Sequence, residues 1–180
     1  GDIMVASQPG RGSRFSFELD LEVIATAEPI QANVERAIVG LAPHQPRCRI
    51  LVVDDQEPNR RLLVDLLEPL GFELNAAADG EEALRRWRQW RPDLIWLDLR
   101  MPGLDGYEVA RRIRGEEPSW RTKLLAISAS AFDEERAQAL AAGYDDFLRK
   151  PFRATELLEM MGRHLQCAFR YADETTGKAA

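Results

Sequence analysis

The sequence predicts an α/β fold, a doubly wound parallel sheet of five βα units preceded by a β-hairpin, and three observations carry that expectation. Four strand-length apolar runs each end in polar groups: Arg49 to Val53 in Asp54-Asp55, Asp93 to Leu97 in Asp98, Lys123 to Ile127 in Ser128, and Asp146 to Arg149 in Lys150-Pro151. From Cys48 onward such runs alternate with helical patterns, the signature of repeated βα units. The first 21 residues instead alternate about a glycine-rich turn, Gln8-Pro9-Gly10-Arg11-Gly12-Ser13, as a hairpin does.

The elements follow in order. The hairpin spans residues 1–21, and an isolated hairpin is marginal in water, so it requires a sheet or a packing partner. Residues 22–47 lose periodicity and carry Pro29, Pro43 and Pro46, which reads as a linker with a short helical stretch over Ala32 to Leu41. Helix one starts at Pro58, a favoured first-turn residue, and stops at Gly71. Helix two starts behind Asp79, with Glu82 three residues on as a capping-box partner, and ends before Arg91-Pro92. Helix three covers Gly106 to Arg114, helix four runs from an Asp133 cap to Gly143, and helix five spans Thr155 to Phe169. A main domain over 48–169 is expected, with 170–180 a disordered tail because the residues from Asp173 are small and polar.

The whole chain excludes several classes. Its 180 residues, 45% apolar, suffice for one well-formed core with flanking segments. A net charge of −6 with dispersed arginines gives no case for nucleic acid as a partner. Cys48 and Cys167 lack companions at metal-ligand spacing and read as reduced thiols of a cytoplasmic protein. No apolar run approaches a membrane span, so no membrane contact is expected, and Gly1 in place of an initiator methionine reads as the start of an excised fragment.

Right-handed crossovers wind five βα units into a sheet with helices on both faces. The flavodoxin-like strand order 2-1-3-4-5 places strands one and three side by side with a crevice at their carboxyl ends, where Asp54, Asp55 and Asp98 meet. Carboxylates this close raise one another's proton affinity unless a cation neutralises them. Magnesium suits the site, since it takes oxygen ligands and binds through one or two carboxylates plus a phosphate. Asp55 and Asp98 are assigned as direct ligands, Asp54 through water, and the Arg100 backbone carbonyl as a third protein ligand. Phosphoryl transfer then needs an in-line nucleophile and compensation of charge on the equatorial oxygens. The Asp98 carboxylate supplies the first, giving an acyl phosphate; Lys150 and the Ser128 hydroxyl join magnesium in the second. A cis Lys150–Pro151 bond would turn the lysine toward the crevice.

With Asp98 to Ser128 at 30 residues and Ser128 to Lys150 at 22, residues 48 to 168 resemble a response-regulator receiver domain of two-component signalling. The resemblance implies that Asp98 takes a phosphoryl group from the phosphohistidine of a histidine kinase or histidine phosphotransfer domain. It also implies that Phe147, three residues before Lys150, changes rotamer as Ser128 moves toward the phosphoryl group. Helix four, strand five and helix five would then form the surface that is read out, either as a homodimer interface or by the parent kinase. Arg100 and Ser130 flank the route of a hydrolytic water in that family. Residues 1–21, with Gly10-Arg11-Gly12-Ser13-Arg14-Phe15, resemble the last hairpin of a histidine-kinase ATP-binding domain. The asparagine-bearing helix, the lid glycines and a phosphorylatable histidine box are absent from the chain, so ATP binding and kinase chemistry are not expected of it. The order matches the C-terminal part of a hybrid sensor histidine kinase, a parent that could be attached to a membrane.

Plainer readings weigh against each residue taken singly. One acidic residue after a strand is ordinarily a solvated loop residue, and only the joint spacing with Ser128 and Lys150 reverses that. His44 and His164 read as surface or cap residues, and Gly10-Arg11-Gly12 joins two strands and so reads as a turn, not a phosphate loop. Trp87, Trp90, Trp96 and Trp120 read as packing residues, and the leucines of helix one exceed a single buried stripe, leaving an exposed remainder beside Pro58 and Asn59 for a partner helix. Two rivals remain: an interaction module that keeps the fold without phosphorylation, and a magnesium-dependent phosphatase, for which a general acid near the nucleophile is missing.

Overall fold

The computed structural model describes residues 3–8, 10, 12–18, 38–45, 47–117, 119, 121–128 and 133–172. The chain divides into two units, residues 1–35 and 36–180. In the first, β1 (Ile3–Gln8) and β2 (Gly12–Phe17) pair antiparallel with Ile3 opposite Phe17 and Val5 opposite Phe15. The expected hairpin is therefore present. Gly10 and Gly12 at its tip have φ of 77° and 88°, values that strain any residue with a Cβ. Strand alternation puts Ile3, Val5, Phe15 and Phe17 on one face.

The second unit contains β3 (Ile38–Leu41), β4 (Arg49–Val53), α1 (Glu57–Leu67), β5 (Glu73–Ala77), α2 (Gly80–Trp90), β6 (Leu94–Asp98) and α3 (Gly106–Glu116). It continues with β7 (Lys123–Ser128), α4 (Asp133–Ala142), β8 (Asp146–Arg149), α5 (Ala154–Leu165) and β9 (Phe169–Tyr171). Five strands form one parallel sheet in the order β5-β4-β6-β7-β8, which is the expected 2-1-3-4-5. The central strands are apolar throughout because both faces are covered. Leu51, Val53, Ile95, Leu97, Leu124 and Ala126 pack with α2, α3 and α4 through Leu84, Trp87, Val109, Ile113 and Ala139. Their neighbours Ile50, Val52, Leu94, Trp96, Leu125 and Ile127 point to the opposite side, against Leu63 and Leu67 of α1 and Leu157, Leu158 and Met161 of α5. Trp87 and Trp96 are both fully buried, as packing residues should be.

Helix boundaries follow local chemistry. In α1, Pro58 lies in the first turn, and after a 3-10 turn at Glu68–Leu70 the chain leaves through Gly71 at φ 97°. Asp79 caps α2 by accepting from the Glu82 amide at 2.7 Å, while the Glu82 carboxylate reaches back to the Ala78 amide at 2.8 Å, one residue short of the reciprocal partner of a standard capping box. Asp105 caps α3 in the same way through the Glu108 amide, 2.8 Å away.

Two expectations are corrected. Residues 38–41, placed in a helical stretch, form β3, and the remainder of that stretch, 32–37, lies outside the described residues. Helix five ends at Leu165, where Gln166 adopts a left-handed conformation, and Phe169, expected within it, instead opens β9. β3 pairs antiparallel with β9, so residues assigned to the linker are joined to residues assigned to the end of the domain and its tail. The Gln45 side chain clamps the junction, donating to the Ala168 carbonyl and accepting from its amide, both at 2.8 Å. Phe169 stacks edge-on with Phe72, at 6.5 Å between centroids, which extends the second core. A pairing between segments some 130 residues apart leaves no mark on local periodicity, which explains the miss. The tail from Asp173 lies outside the described residues.

A half-buried ion pair holds the end of the sheet opposite the crevice. Arg114 of α3 meets Asp145 at 2.6 Å and donates to the Gly143 and Thr122 carbonyls, each at 2.7 Å, while Asp145 accepts from the Leu124 amide at 2.8 Å. Burial lowers the Arg114 pKa against the opposing pull of Asp145, so the pair is held at an appreciable desolvation cost. Arg114→Ala is expected to lower stability by about 3 kcal/mol, since it removes the nearest partner of Asp145, leaving Lys123 at 3.4 Å and the Leu124 amide, and strips a donor from two carbonyls. A urea titration measures this, and a midpoint within error of the unsubstituted protein would refute it.

Candidate functional site

Every group singled out for chemistry sits at or just beyond a strand's carboxyl end. Asp54 and Asp55 follow β4, Asp98 ends β6, Ser128 ends β7, and Lys150 follows β8. Because β4 and β6 are hydrogen-bonded neighbours, Val53 lies opposite Leu97, and the acidic residues beyond them emerge together. Oxygens of Asp54, Asp55 and Asp98 lie within 4.8 Å of one another. Lys150 reaches across from β8, its Nζ 3.1 Å from Asp54 Oδ2 and 3.4 Å from Asp98 Oδ2. The Lys150–Pro151 bond is cis, as anticipated.

The carboxylates are held unequally. Asp54 is buried, and its Oδ1 accepts from the Gln56 amide at 2.9 Å and the Asn59 amide group at 3.1 Å; Lys150 takes its other oxygen. Arg60 anchors the same residue through its carbonyl at 2.7 Å. Asp98 Oδ1 accepts from the Arg100 amide at 2.9 Å, which leaves Oδ2 facing Lys150. Burial pushes the Asp98 carboxyl above its ordinary range; the Arg100 amide and Lys150 pull it back, and Asp54 adds to the rise. A cluster of hard oxygen donors with one carboxylate already fixed by protein hydrogen bonds fits a small divalent cation. It also exposes a carboxylate oxygen beside a lysine, the arrangement a nucleophile for phosphoryl transfer requires.

Ser128 points elsewhere. Its hydroxyl is buried and donates to Glu135 Oε2 of α4 at 2.7 Å. Arg100, whose carbonyl was expected at the metal, contributes its amide to Asp98 and its guanidinium to Glu135 Oε1 at 3.1 and 2.8 Å. Phe147 in β8 is half-buried and packs on the core formed with α2, α3 and α4. Ser130 falls outside the described residues. His44 occupies a turn at φ 67°, and His164 meets Asp146 at 3.1 Å near the end of α5, so neither lies among the crevice groups.

The sequence reading missed three contributors. Asn59 was weighed only as docking surface, although a first-turn amide five residues after an aspartate is placed to bond back to it. Gly106 opens α3 so close to β6 that a Cβ there would sit 2.2 Å from the Asp98 carbonyl oxygen and 2.7 Å from the Tyr144 hydroxyl. A glycine at the head of a predicted helix was the available signal. Glu135 had none: among the acidic residues opening α4, nothing local marks the one that turns inward.

Comparison with known proteins agrees with this geometry. The family model for the response regulator receiver domain matches residues 50–162. The chain is 38% identical over 168 residues to the virulence sensor protein BvgS of Bordetella bronchiseptica, covering 89% of this chain and 13% of that one. It is 31% identical to the sensor protein EvgS of Escherichia coli, over 92% of this chain and 13% of that protein. The chain thus spans only about an eighth of these relatives. Among solved structures, the receiver domain of a sensor histidine kinase from Pseudomonas aeruginosa, described with magnesium coordinated in its active-site cleft, superimposes with a TM-score of 0.62 at 36% identity, covering 67% of this chain and 99% of that one. The Vibrio cholerae chemotaxis protein CheY4 gives a TM-score of 0.62 at 30% identity, covering 66% and 98%. With the family model spanning well over half of its length and its five-stranded crevice assembled, the chain belongs to the response regulator receiver family.

Proposed function

We propose that residues 48–169 accept a phosphoryl group from the phosphohistidine of a histidine kinase or histidine phosphotransfer domain onto Asp98, and relay it or use it to regulate a parent hybrid sensor histidine kinase. The observation that carries this reading is the Asp98 carboxylate standing among Asp54, Asp55 and Lys150 at the carboxyl edge of the sheet. An Asp98 oxygen attacks phosphorus as the phosphorus–nitrogen bond to the donor imidazole breaks, and the imidazole leaves with a proton drawn from solvent. Lys150 stands beside both Asp54 and Asp98 and offsets charge on the phosphoryl oxygens. Ser128 donates its hydroxyl to one of those oxygens, and the Phe147 ring follows. Asp55, Asp98, the Arg100 carbonyl and, through water, Asp54 are the groups that would hold magnesium, which supplies charge neutralisation for the incoming dianion.

Leu62, 60% exposed on α1 beside Pro58 and Asn59, supports a docking surface for the donor helix, and α4, β8 and α5 supply the readout surface, whether to a second copy or to the kinase. The hairpin 1–21 is read as the end of a kinase ATP-binding domain, and the chain as a cytoplasmic piece of its parent. Among the described residues no helix is long and apolar enough to cross a membrane.

Intact-mass measurement with acetyl phosphate is expected to show one added phosphoryl group in the presence of magnesium and none in EDTA. Asp98→Asn abolishes it, and Lys150→Met slows it about 10- to 100-fold, the range for a lost hydrogen bond to a charged group. Modification that persists in Asp98→Asn would sink the assignment, and no modification of any form would favour a phosphorylation-independent interaction module.

Stability supplies a second test. The Asp98 pKa is higher folded than unfolded, so its protonated form favours the fold; this contribution is present below the unfolded value and is lost as pH rises through the folded one. Without magnesium, Asp98→Asn is therefore expected to melt higher than the unsubstituted protein at neutral pH, with the gap closing toward pH ~4 and below. Magnesium at about one hundred times its Kd should add about 2.7 kcal/mol to the unsubstituted protein and much less to Asp98→Asn or Asp55→Asn. Equal magnesium stabilisation of all three would place the ion elsewhere.

A further inference from the structure

We propose that Glu135 is a positioning residue of the phosphoryl-transfer site, whose carboxylate holds the Ser128 hydroxyl away from Asp98 until a phosphoryl group on Asp98 takes that hydroxyl over. The inference rests on the reading of Asp98 as phosphoacceptor.

The argument is one of proton counting. A serine hydroxyl has a single proton to donate. In this structure it goes to Glu135 Oε2 at 2.7 Å, between two buried residues. A phosphoryl oxygen and Glu135 therefore cannot both receive it, and the two acceptors compete. Glu135 is suited to the role because its side chain is only 7% exposed and ionised carboxylate oxygens only accept. Its other oxygen is engaged by Arg100, whose amide is bonded to Asp98 itself. Asp98, Arg100, Glu135 and Ser128 thus form one continuous chain of hydrogen bonds from the acceptor carboxylate, through α4, to the hydroxyl that must return to it. The Arg100 side chain is 77% exposed, so its link to Glu135 can persist or reform in solvent while the buried Ser128 link must break.

Removing the Glu135 charge weakens the competitor without removing Ser128. Glu135→Gln keeps the shape and replaces a charged acceptor by a neutral one, and Glu135→Met, of similar length, removes the acceptor altogether. Each is expected to tighten magnesium-dependent binding of beryllofluoride, a phosphoryl mimic, by roughly three- to tenfold, the range set by one such hydrogen bond. The rate of modification by acetyl phosphate should rise in the same sense. In a Ser128→Ala background the same substitutions should change both quantities less than about twofold, because the hydroxyl being competed for is gone. A merely structural Glu135 would not make its effect depend on Ser128.

Unchanged or weakened beryllofluoride binding in a folded Glu135 variant overturns the proposal, as does an equal gain with and without Ser128. Should Glu135→Gln fail to fold, Glu135→Met carries the same expectation. Failure of the unsubstituted protein to take either beryllofluoride or a phosphoryl group would overturn the Asp98 reading and this proposal together; reaction of the unsubstituted protein with no gain in the variants overturns this proposal alone.

Discussion

Three carboxylates at the mouth of a parallel sheet repel one another, and the crevice is organised around holding them there. The cost is visible at Asp98, whose carboxyl is pushed above its ordinary range chiefly by burial, with Asp54 adding to the rise. It is offset at Asp98 by the Arg100 amide from the turn after β6 and by Lys150 from beyond β8, while Gln56 and Asn59 at the start of α1 hold Asp54. Lys150 lies 96 residues from Asp54 and 52 from Asp98, so its contribution exists only when the sheet is assembled, whereas the Gln56 and Arg100 amides are each two residues from the carboxylate they bond. A cluster of carboxylates only partly neutralised by protein groups favours a cation.

The sheet can bear that cost because its centre is rigid. β4, β6 and β7 are buried on both faces, and residues such as Ile50, Leu51, Ile95, Trp96 and Leu125 are wholly inaccessible. Fully burying side chains of this size contributes about 1.5–3 kcal/mol each, which outweighs the penalty of one raised carboxyl. Rigidity also comes from close approach: Gly106 lets α3 begin directly against the Asp98 carbonyl, where no other residue would fit without displacing backbone. Asp98 is thereby fixed from behind by its own strand and from the side by the helix that follows.

The fold was largely legible because a parallel sheet writes itself locally. Apolar runs of four to six residues, each closed by a polar group, mark both the strands and the edge at which they end. The carboxylates, Ser128 and Lys150 were legible for the same reason, since each occupies the residue just past such a run. What escaped notice depends on pairing at a distance. Ile38 to Leu41 is too short to declare itself a strand, and its partner Phe169 to Tyr171 continued what looked like a helix; only the closed tertiary structure brings them together. Glu135 escaped for a related reason, because which acidic residue of α4 turns inward is decided by the docking of the helix and not by its own sequence.

That docking also sets how firmly each helix is held. α5 is anchored by Leu157, Leu158, Met160 and Met161, all buried. The described side chains of α4 bury only Ala139, Ala142 and Glu135, while Leu140 is 38% exposed. Each alanine methyl contributes about 0.8 kcal/mol of burial against about 1.5–3 for a leucine or methionine, so α4 is held on the sheet far more weakly than α5. The Ser128–Glu135 bond is consequently a large share of what positions α4, whereas it would be a small share for any other helix. A chemical event that takes the Ser128 hydroxyl therefore acts on the element least able to resist, and Phe147, half-buried in the adjoining strand, lies against the same core that such a movement would repack. Among the described side chains α4 alone of the five helices buries no large apolar residue, so the exchange of one hydrogen bond bears on it more than on α1, α2, α3 or α5.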